Sequence, residues 1–478
     1  MPKVLDVKVI PHRNYLMADT PDQKLFIELK LGTKLESGPN LPLSIAFIVD
    51  TSGSMREIVS SSPVNTGKTE TLDENIHNNI VSGVDSESKI GILIGGLKKF
   101  VSSSKLKNTD RISLVKFDDN AEVLLPFTNV EDKNKDEIVR AVESLTNYSG
   151  GTCMGAGLKE TLNLISKETG NRRIIMLTDG QTSDEDLARE ISSELAKLNI
   201  PVIAIGIGED WNENLITFIT DKTQGKPFYA STEPLNRQFT DTANNPAGNI
   251  AIKPSDIPET MIKELDRAVN ETLTGVSMTI NTAKDVIIDK ITRVYPEVSE
   301  VDIGIKPHSL GSINPEENAV FIIESTIPER GSLKSRLMQL SLTYNVPCEN
   351  YRGENPPEDV IVEFTADESK ASVIDQEVMQ WVQQRNIGGL MEKAIQEAVD
   401  EPSNASRTLD MARRMTIKLG NSAMTKIIEL AQNEIRENNT ISSGTSKTLR
   451  IGSKTKTVKI GSEKDGLSDE QIRKLAGT

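Results

Sequence analysis

The chain has 478 residues, a formal net charge of −15 at pH 7, and 36% hydrophobic residues. That length predicts about three domains, and the acidic balance argues against a general nucleic-acid or anionic-membrane binder. Two cysteines (Cys153, Cys348) and three scattered histidines (His12, His77, His308) make neither a disulfide framework nor a zinc cluster, so a reducing cytoplasm is the expected location. The amino terminus, MPKVLDVKVIPHRNYL, lacks the apolar core of a signal peptide. No apolar run of about 18 residues occurs, so no membrane span is expected.

The chain opens in β structure. In KLFIELKL (24–31), Leu25, Ile27, Leu29 and Leu31 alternate with mostly polar neighbours, the pattern of a half-buried strand. One or two strands do not fold alone, so residues 1–40 need partners from elsewhere in the chain. From 41 to 272, strand and helix patterns alternate. LSIAFIVD (43–50), RISLVKF (111–117), EVLLPF (122–127), RIIMLTD (173–179) and PVIAIGIG (201–208) read as strands. Helical periods fall near 90–104, 134–145, 155–167, 183–198 and 212–222, and 255–272 reads as a closing helix. Such alternation predicts an α/β fold, a doubly wound and mostly parallel sheet, with EVLLPF folded back as an antiparallel edge.

Within this unit, the apolar run Leu43–Val49 ends in Asp50. Such a run suits a strand buried on both faces, and open α/β sheets place ligands at the carboxyl ends of their strands. Spacing of two on an extended segment points Asp50, Ser52 and Ser54 the same way. One carboxylate and two hydroxyls are hard oxygen ligands suited to Mg²⁺ or Mn²⁺. A second apolar strand ends in Asp179, and the glycine-rich loop SGGTCMGAGL (149–158) carries Thr152 and opens a helix. Cys153, beside Thr152 and without a paired histidine, reads as a small helix-opening residue rather than a nucleophile.

Residues 273–366 return to strand patterns: VSMTI, DVIIDKITRV, NAVFIIEST, RLMQLSLTYNV and DVIVEFTA. They are expected to pair with residues 1–40 into a β-sandwich into which 41–272 is inserted. From 372 to 438 the period becomes helical, with Val378, Trp381 and Val382, then Leu390, Met391, Ala394, Ile395 and Ala398 on one face. A second helix follows Pro402 and a third opens at Asn421 or Ser422. This predicts a helical hairpin or small bundle, either packed on itself or offering a groove to a partner helix. The tail, 439–478, is Thr-rich and basic, with a short repeat: KTLRIGS (447–453) and KTVKIGS (456–462). It is too poor in apolar residues to form a core, so disorder is expected. Each repeat sets a threonine three residues before an isoleucine, which makes Thr448 and Thr457 candidates for phosphorylation by a Ser/Thr kinase and capture by a forkhead-associated domain. SDEQIRKL (468–475) reads as a short helical turn with Ser468 and Gln471 as its capping box.

The ordered set Asp50-x-Ser52-x-Ser54, Thr152 and Asp179 resembles the metal-ion-dependent adhesion site of von Willebrand factor A (vWA) domains, and the resemblance covers residues 41–272. It implies a Rossmann-like fold in which Ser52 and Ser54 ligate Mg²⁺ (or Mn²⁺) directly and Thr152 ligates directly or through water. Asp50 and Asp179 would hold coordinated waters and the serine hydroxyls, and the metal would accept an acidic side chain from a protein partner. Two insertions stand out against the family pattern, 56–88 and 234–253. Both have the composition of solvated loops, and the first would lie beside the metal site, where it would gate access. The whole layout resembles cytoplasmic bacterial vWA proteins, a group whose implied partners are Ser/Thr kinases, metal-dependent phosphatases and forkhead-associated proteins. The expected role is therefore a non-enzymatic, Mg²⁺-dependent scaffold or adaptor in phosphothreonine signalling. An adaptor for a MoxR-type AAA ATPase and a metal-dependent hydrolase are the alternatives. Against hydrolysis, the site supplies no histidine base, no second metal cluster and no phosphate-cradling GxxxxGK motif.

Overall fold

The computed structural model describes residues 4–33, 35, 42–58, 87–208, 211–230, 251–315, 317–346 and 351–460. Most of both insertions, His77, Cys348 and the capping box at Ser468 and Gln471 lie outside the described residues. Three strands open the chain: β1 (Leu5–Pro11), β2 (Tyr15–Met17) and β3 (Gln23–Thr33). The alternating unit follows as β4 (Leu43–Asp50), α1 (Lys89–Val101), β5 (Arg111–Phe117), β6 (Ala121–Asn129), α2 (Asp132–Ser144), α3 (Met154–Ile165), β7 (Asn171–Thr178), α4 (Glu185–Lys197), β8 (Val202–Ile207), α5 (Glu213–Lys222), β9 (Lys226–Ala230), β10 (Ala251–Ile252) and α6 (Ile257–Val269). Next come β11 (Leu273–Thr282), β12 (Ile287–Tyr295), β13 (Ser299–Val301), β14 (His308–Ile313), β15 (Ala319–Ile327), β16 (Lys334–Val346), β17 (Tyr351–Glu354) and β18 (Glu358–Thr365). Helices α7 (Glu368–Ala371), α8 (Gln376–Asp400), α9 (Pro402–Lys418), α10 (Ser422–Asn438) and α11 (Ser443–Thr455) end the described chain.

The α/β unit is one sheet in the order β10-β9-β8-β7-β4-β5-β6. Every pairing is parallel except β5 with β6, the antiparallel edge that the short turn after Phe117 predicts. All eight residues of β4 are buried, because helices cover both faces of the sheet. From β4 the chain moves outward to β5 and β6 on one side, and later through β7, β8 and β9 on the other. The strand order thus reverses between β4 and β7, which opens a crevice at their carboxyl ends.

The amino-terminal strands are divided between the two sheets of a sandwich. One sheet runs β1-β3-β15-β12-β13 and the other β14-β11-β16-β18-β2. The alternating apolar residues Leu25, Ile27, Leu29 and Leu31 enter a core shared with Met278, Phe321, Leu340 and Phe364. A chain of ion pairs ties the sandwich to the α/β unit: Arg267 meets Glu297 at 2.6 Å and Glu317 at 2.9 Å, and Lys226 meets Glu297 at 3.0 Å.

The first part of the tail, 439–460, corrects the expectation of disorder, and the rest of it, 461–478, lies outside the described residues. Residues 443–455 form α11, capped by the Ser442 hydroxyl, which accepts the Thr445 amide at 3.2 Å. Its apolar residues do not need a core of their own, because Leu449, Ile451 and Ile460 enter three existing ones. Leu449 packs in the helical bundle with Met391 and Ile428, and Ile451 joins the α/β core beside Trp211 and Leu215. Ile460, just beyond the helix, packs with Trp381 against Val294 and Val320 of the sandwich. Fully burying one such side chain stabilises by about 1.5–3 kcal/mol. The basic residues are also used: Arg450 pairs with Glu213 and with Glu392, and Lys454 lies 2.5 Å from Asp221. The helical region is accordingly larger than the predicted 372–438, and α8 docks on the sandwich, where the Gln384 amide donates to the Val294 carbonyl at 2.8 Å.

Candidate metal site

The crevice between β4 and β7 gathers the residues singled out from the sequence. Asp50 closes β4 and is fully buried. Its two oxygens accept hydrogen bonds from the Ser52 amide at 2.9 Å and the Thr178 hydroxyl at 2.7 Å. Burial pushes the Asp50 carboxyl up to about 6, against the opposing pull of those hydrogen bonds. The chain then turns through a short 3₁₀ segment, Gly53–Arg56, which faces the Ser52 and Ser54 hydroxyls toward each other at 3.1 Å. Ser54 donates its hydroxyl to Asp179 Oδ1 at 2.9 Å.

Thr152 arrives from the glycine-rich loop. The Gly53 amide donates to the Gly150 carbonyl at 3.0 Å, which ties the two loops together. The Gly151 amide donates to Asp119 at 3.0 Å, which ties the glycine-rich loop to the turn after β5. Asp184 caps α3 by accepting the Gly155 and Ala156 amides at 2.9 and 2.8 Å. A Cβ built on Gly180 would stand 3.7 Å from Thr152 Oγ1 and 3.9 Å from Asp50 Oδ2. The hydroxyl and the carboxylate therefore border one space, kept open by the absence of a side chain at 180.

All five predicted residues thus meet. Among the described residues, no group of three or more His, Cys, Asp and Glu side chains gathers as a metal cluster. The donor set here is two carboxylates and three hydroxyls. Ser54 gives its proton to Asp179 and so leaves oxygen lone pairs free, a set that fits a hard divalent cation with room for waters. Cys153 opens α3, as its position predicts, with its thiol 3.4 Å from the Ser183 hydroxyl.

Two residues at the site escaped the sequence reading. Lys89, in the first turn of α1, places its ammonium 2.7 Å from Asp179 Oδ2 and 2.7 Å from Glu57 Oε2. Burial works against this charge, but the bonds to Asp179 and Glu57 outweigh it and hold Lys89 above the ordinary lysine value. One signal was legible. A lysine that opens a helix opposes the helix dipole, and such a placement calls for a nearby acid.

Thr448 and Thr457 stand far from the exposed tail positions expected of them. The Thr448 side chain is buried, and its hydroxyl donates to the Gly444 carbonyl at 2.8 Å inside α11. The Thr457 hydroxyl donates to the Pro296 carbonyl of the sandwich.

Comparison with known proteins agrees with this architecture. Residues 87–242 match the family model for the von Willebrand factor type A domain, and residues 376–459 match that for the Sll0103-like, C-terminal alpha-helical domain. The first match begins downstream of Asp50, Ser52 and Ser54, whose place in the site rests on the geometry above. The uncharacterized protein sll0103 of Synechocystis sp. is 21% identical over 356 residues, covering 72% of this chain and 71% of that protein. A von Willebrand factor type A structure from Catenulispora acidiphila superposes with a TM-score of 0.71 at 16% identity, covering 95% of this chain and 98% of the other. The ArnB paralog VWA2 from Sulfolobus acidocaldarius gives 0.58 at 13% identity, covering 95% and 100%. Residues 43–269 therefore carry a von Willebrand factor type A fold, set into a β-sandwich and followed by a C-terminal helical domain.

Proposed function

We propose that this protein is a divalent-metal-dependent protein-binding module whose recognition centre is formed by Asp50, Ser52, Ser54, Thr152 and Asp179. The observation that carries this reading is the bonding of the acids. Asp50 and Asp179 accept hydrogen bonds from the loop amide and hydroxyls, and so stand behind the serine oxygens rather than in front of them. A bound Mg²⁺ or Mn²⁺ would retain an open position and much of its charge, which suits an acidic side chain offered by a partner. Asp50 fixes the Ser52 backbone, Asp179 orients the Ser54 hydroxyl, and the Gly53–Gly150 hydrogen bond ties the loop that carries Thr152 to the serine turn.

We assign the site to binding rather than turnover. Among the described residues, His12 and His308 belong to the sandwich, so no histidine stands beside the site as a general base. Within the same reading, a role in Ser/Thr phosphorylation signalling runs through the partner held at the metal, since the Thr448 and Thr457 hydroxyls are engaged inside the fold. No helix among the described residues is long and apolar enough to cross a membrane, and the low cysteine content suits a reducing compartment such as the cytoplasm.

The test is Mn²⁺ and Mg²⁺ binding by calorimetry, joined to capture of partners from lysate with and without EDTA. The Ser52→Ala/Ser54→Ala variant is expected to lose both metal binding and EDTA-sensitive capture while melting like the parent. Equal metal binding by the double variant would overturn the assignment.

A further inference from the structure

Glu57 and Lys89 lie at the two ends of the 56–88 insertion. Their backbones are joined by the Lys89 amide, which donates to the Glu57 carbonyl at 3.0 Å, and by a bridge between Ile58 and Ser88. The Lys89 ammonium stands between two carboxylates of different character. Asp179 is fully buried and part of the metal site, whereas Glu57 is 63% exposed. Asp179 divides its oxygens: Oδ1 orients Ser54 and Oδ2 holds Lys89. The ammonium is therefore a tethered cation in contact with the same carboxylate that would serve a divalent ion.

We propose that Lys89 is an internal competitor for the metal and sets the threshold for its loading, with Glu57 as the resting place that receives the ammonium when the metal enters. This rests on the metal-binding reading above and specifies its regulation. Without the divalent ion, Lys89 neutralises Asp179 and keeps the serine pair oriented. With the ion present, two like charges face one another across one carboxylate in a poorly solvated crevice, where Coulomb repulsion is only weakly screened. The lysine stem is long and unbranched, so the ammonium leaves Asp179 while staying on Glu57. Because Glu57 follows the 3₁₀ turn that carries Ser54 and Lys89 opens α1, the switch couples metal occupancy to the base of the insertion.

The experiment is Mn²⁺ titration by calorimetry into the full chain, with melting curves as the check on folding. Variants are Lys89→Met, Lys89→Gln, Glu57→Gln, the Lys89→Met/Glu57→Gln double, and Ser52→Ala/Ser54→Ala. Lys89→Met and Lys89→Gln are expected to lower the Mn²⁺ Kd by about tenfold or more. Glu57→Gln is expected to raise it, because the ammonium then rests on Asp179 alone. That effect should vanish in the Lys89→Met background if Glu57 acts through Lys89, and persist if Glu57 acts only through its own charge. A folded Lys89→Met or Lys89→Gln protein with a Kd within about twofold of the parent, or weaker, overturns the inference. If Lys89→Met does not fold, Lys89→Gln, which keeps a donor for Asp179, decides the matter. If the parent binds Mn²⁺ better than Ser52→Ala/Ser54→Ala while the Lys89 variants change nothing, the competitor role fails and the metal site stands. If neither the parent nor the Lys89 variants exceed the serine variant, the metal reading itself falls, and the inference with it.

Discussion

Glu28 offers a quantitative test of how the sandwich is built. It lies in β3 with no exposed surface, and neither carboxylate oxygen has a hydrogen-bond partner among the described residues. Burial, reinforced by the Glu377 carboxylate and only partly offset by Lys30 and Lys8, pushes its pKa from the ordinary 4.5 up to about 7. The folded chain therefore keeps a proton that the unfolded chain releases between those two values. For an acid raised in this way, stability falls as pH rises through the window and levels off above it. The gap amounts to about 3 kcal/mol at roughly 1.4 kcal/mol per pH unit. Glu28→Gln keeps the shape and removes the charge. It should stabilise the protein by about 3 kcal/mol at pH 8 and by only about 1 kcal/mol at pH 5. The assay is urea unfolding followed by fluorescence of Trp381, which packs beside Val294 and Val320 of the sandwich, in a Trp211→Phe background. A Glu28→Gln effect equal at the two pH values, or destabilising at pH 8, would show that Glu28 is solvated or paired and refute the reasoning.

The other predictions concern the tail and the acid limb. Thr448 is buried inside α11, so Thr448→Glu should strand a charge and release the helix, at a cost of about 3 kcal/mol or more; limited proteolysis should then cut within 443–460, and an uncut protein would contradict the docking. Ile451→Ala should cost about 2–4 kcal/mol in the α/β unit, read from Trp211 fluorescence in urea, because the side chain completes that core from outside it. His12 is held at about 4 by burial and the Arg13 charge, and its Nδ1 accepts the Phe26 amide at 3.1 Å. Its folded value is depressed, so its contribution is complete above pH 6.5 and is lost as pH falls toward 4. His12→Gln should shrink the difference in urea midpoint between pH 7 and pH 4.5, and an unchanged difference would count against a buried neutral ring.

Particular residues show where sequence reading reaches and where it stops. Asp50, Ser52 and Ser54 are legible because their relation is local: a strand has a period of two, and an apolar run that ends in an acid marks its carboxyl end. Asp179 is legible for the same reason on a neighbouring parallel strand. The half-buried alternation of Leu25 to Leu31 likewise announced a strand in search of a partner, which β15 supplies in the register Leu31 with Ala319. Lys89 and Glu57 were missed because 31 residues lie between them, and the contacts that join them, the Lys89–Glu57 backbone bond and ion pair and the Ile58–Ser88 bridge, form only in the folded chain. The tail was misjudged for a related reason. A segment so poor in apolar residues cannot build a core, and composition does not reveal that Leu449, Ile451 and Ile460 each complete a core built elsewhere.

The amino-acid sequence by itself therefore determined the alternating α/β unit, the strand ends that carry the acids, and the oxygen-rich character of the site. These follow from backbone period and side-chain chemistry within short windows. Only the tertiary structure decided that the amino terminus is divided between two sheets and that a basic tail becomes a docked helix. It also decided that a lysine occupies one oxygen of Asp179. Those outcomes depend on contacts between residues from 90 to more than 300 positions apart, where the free energy of burial and charge pairing is shared among segments that no local pattern connects.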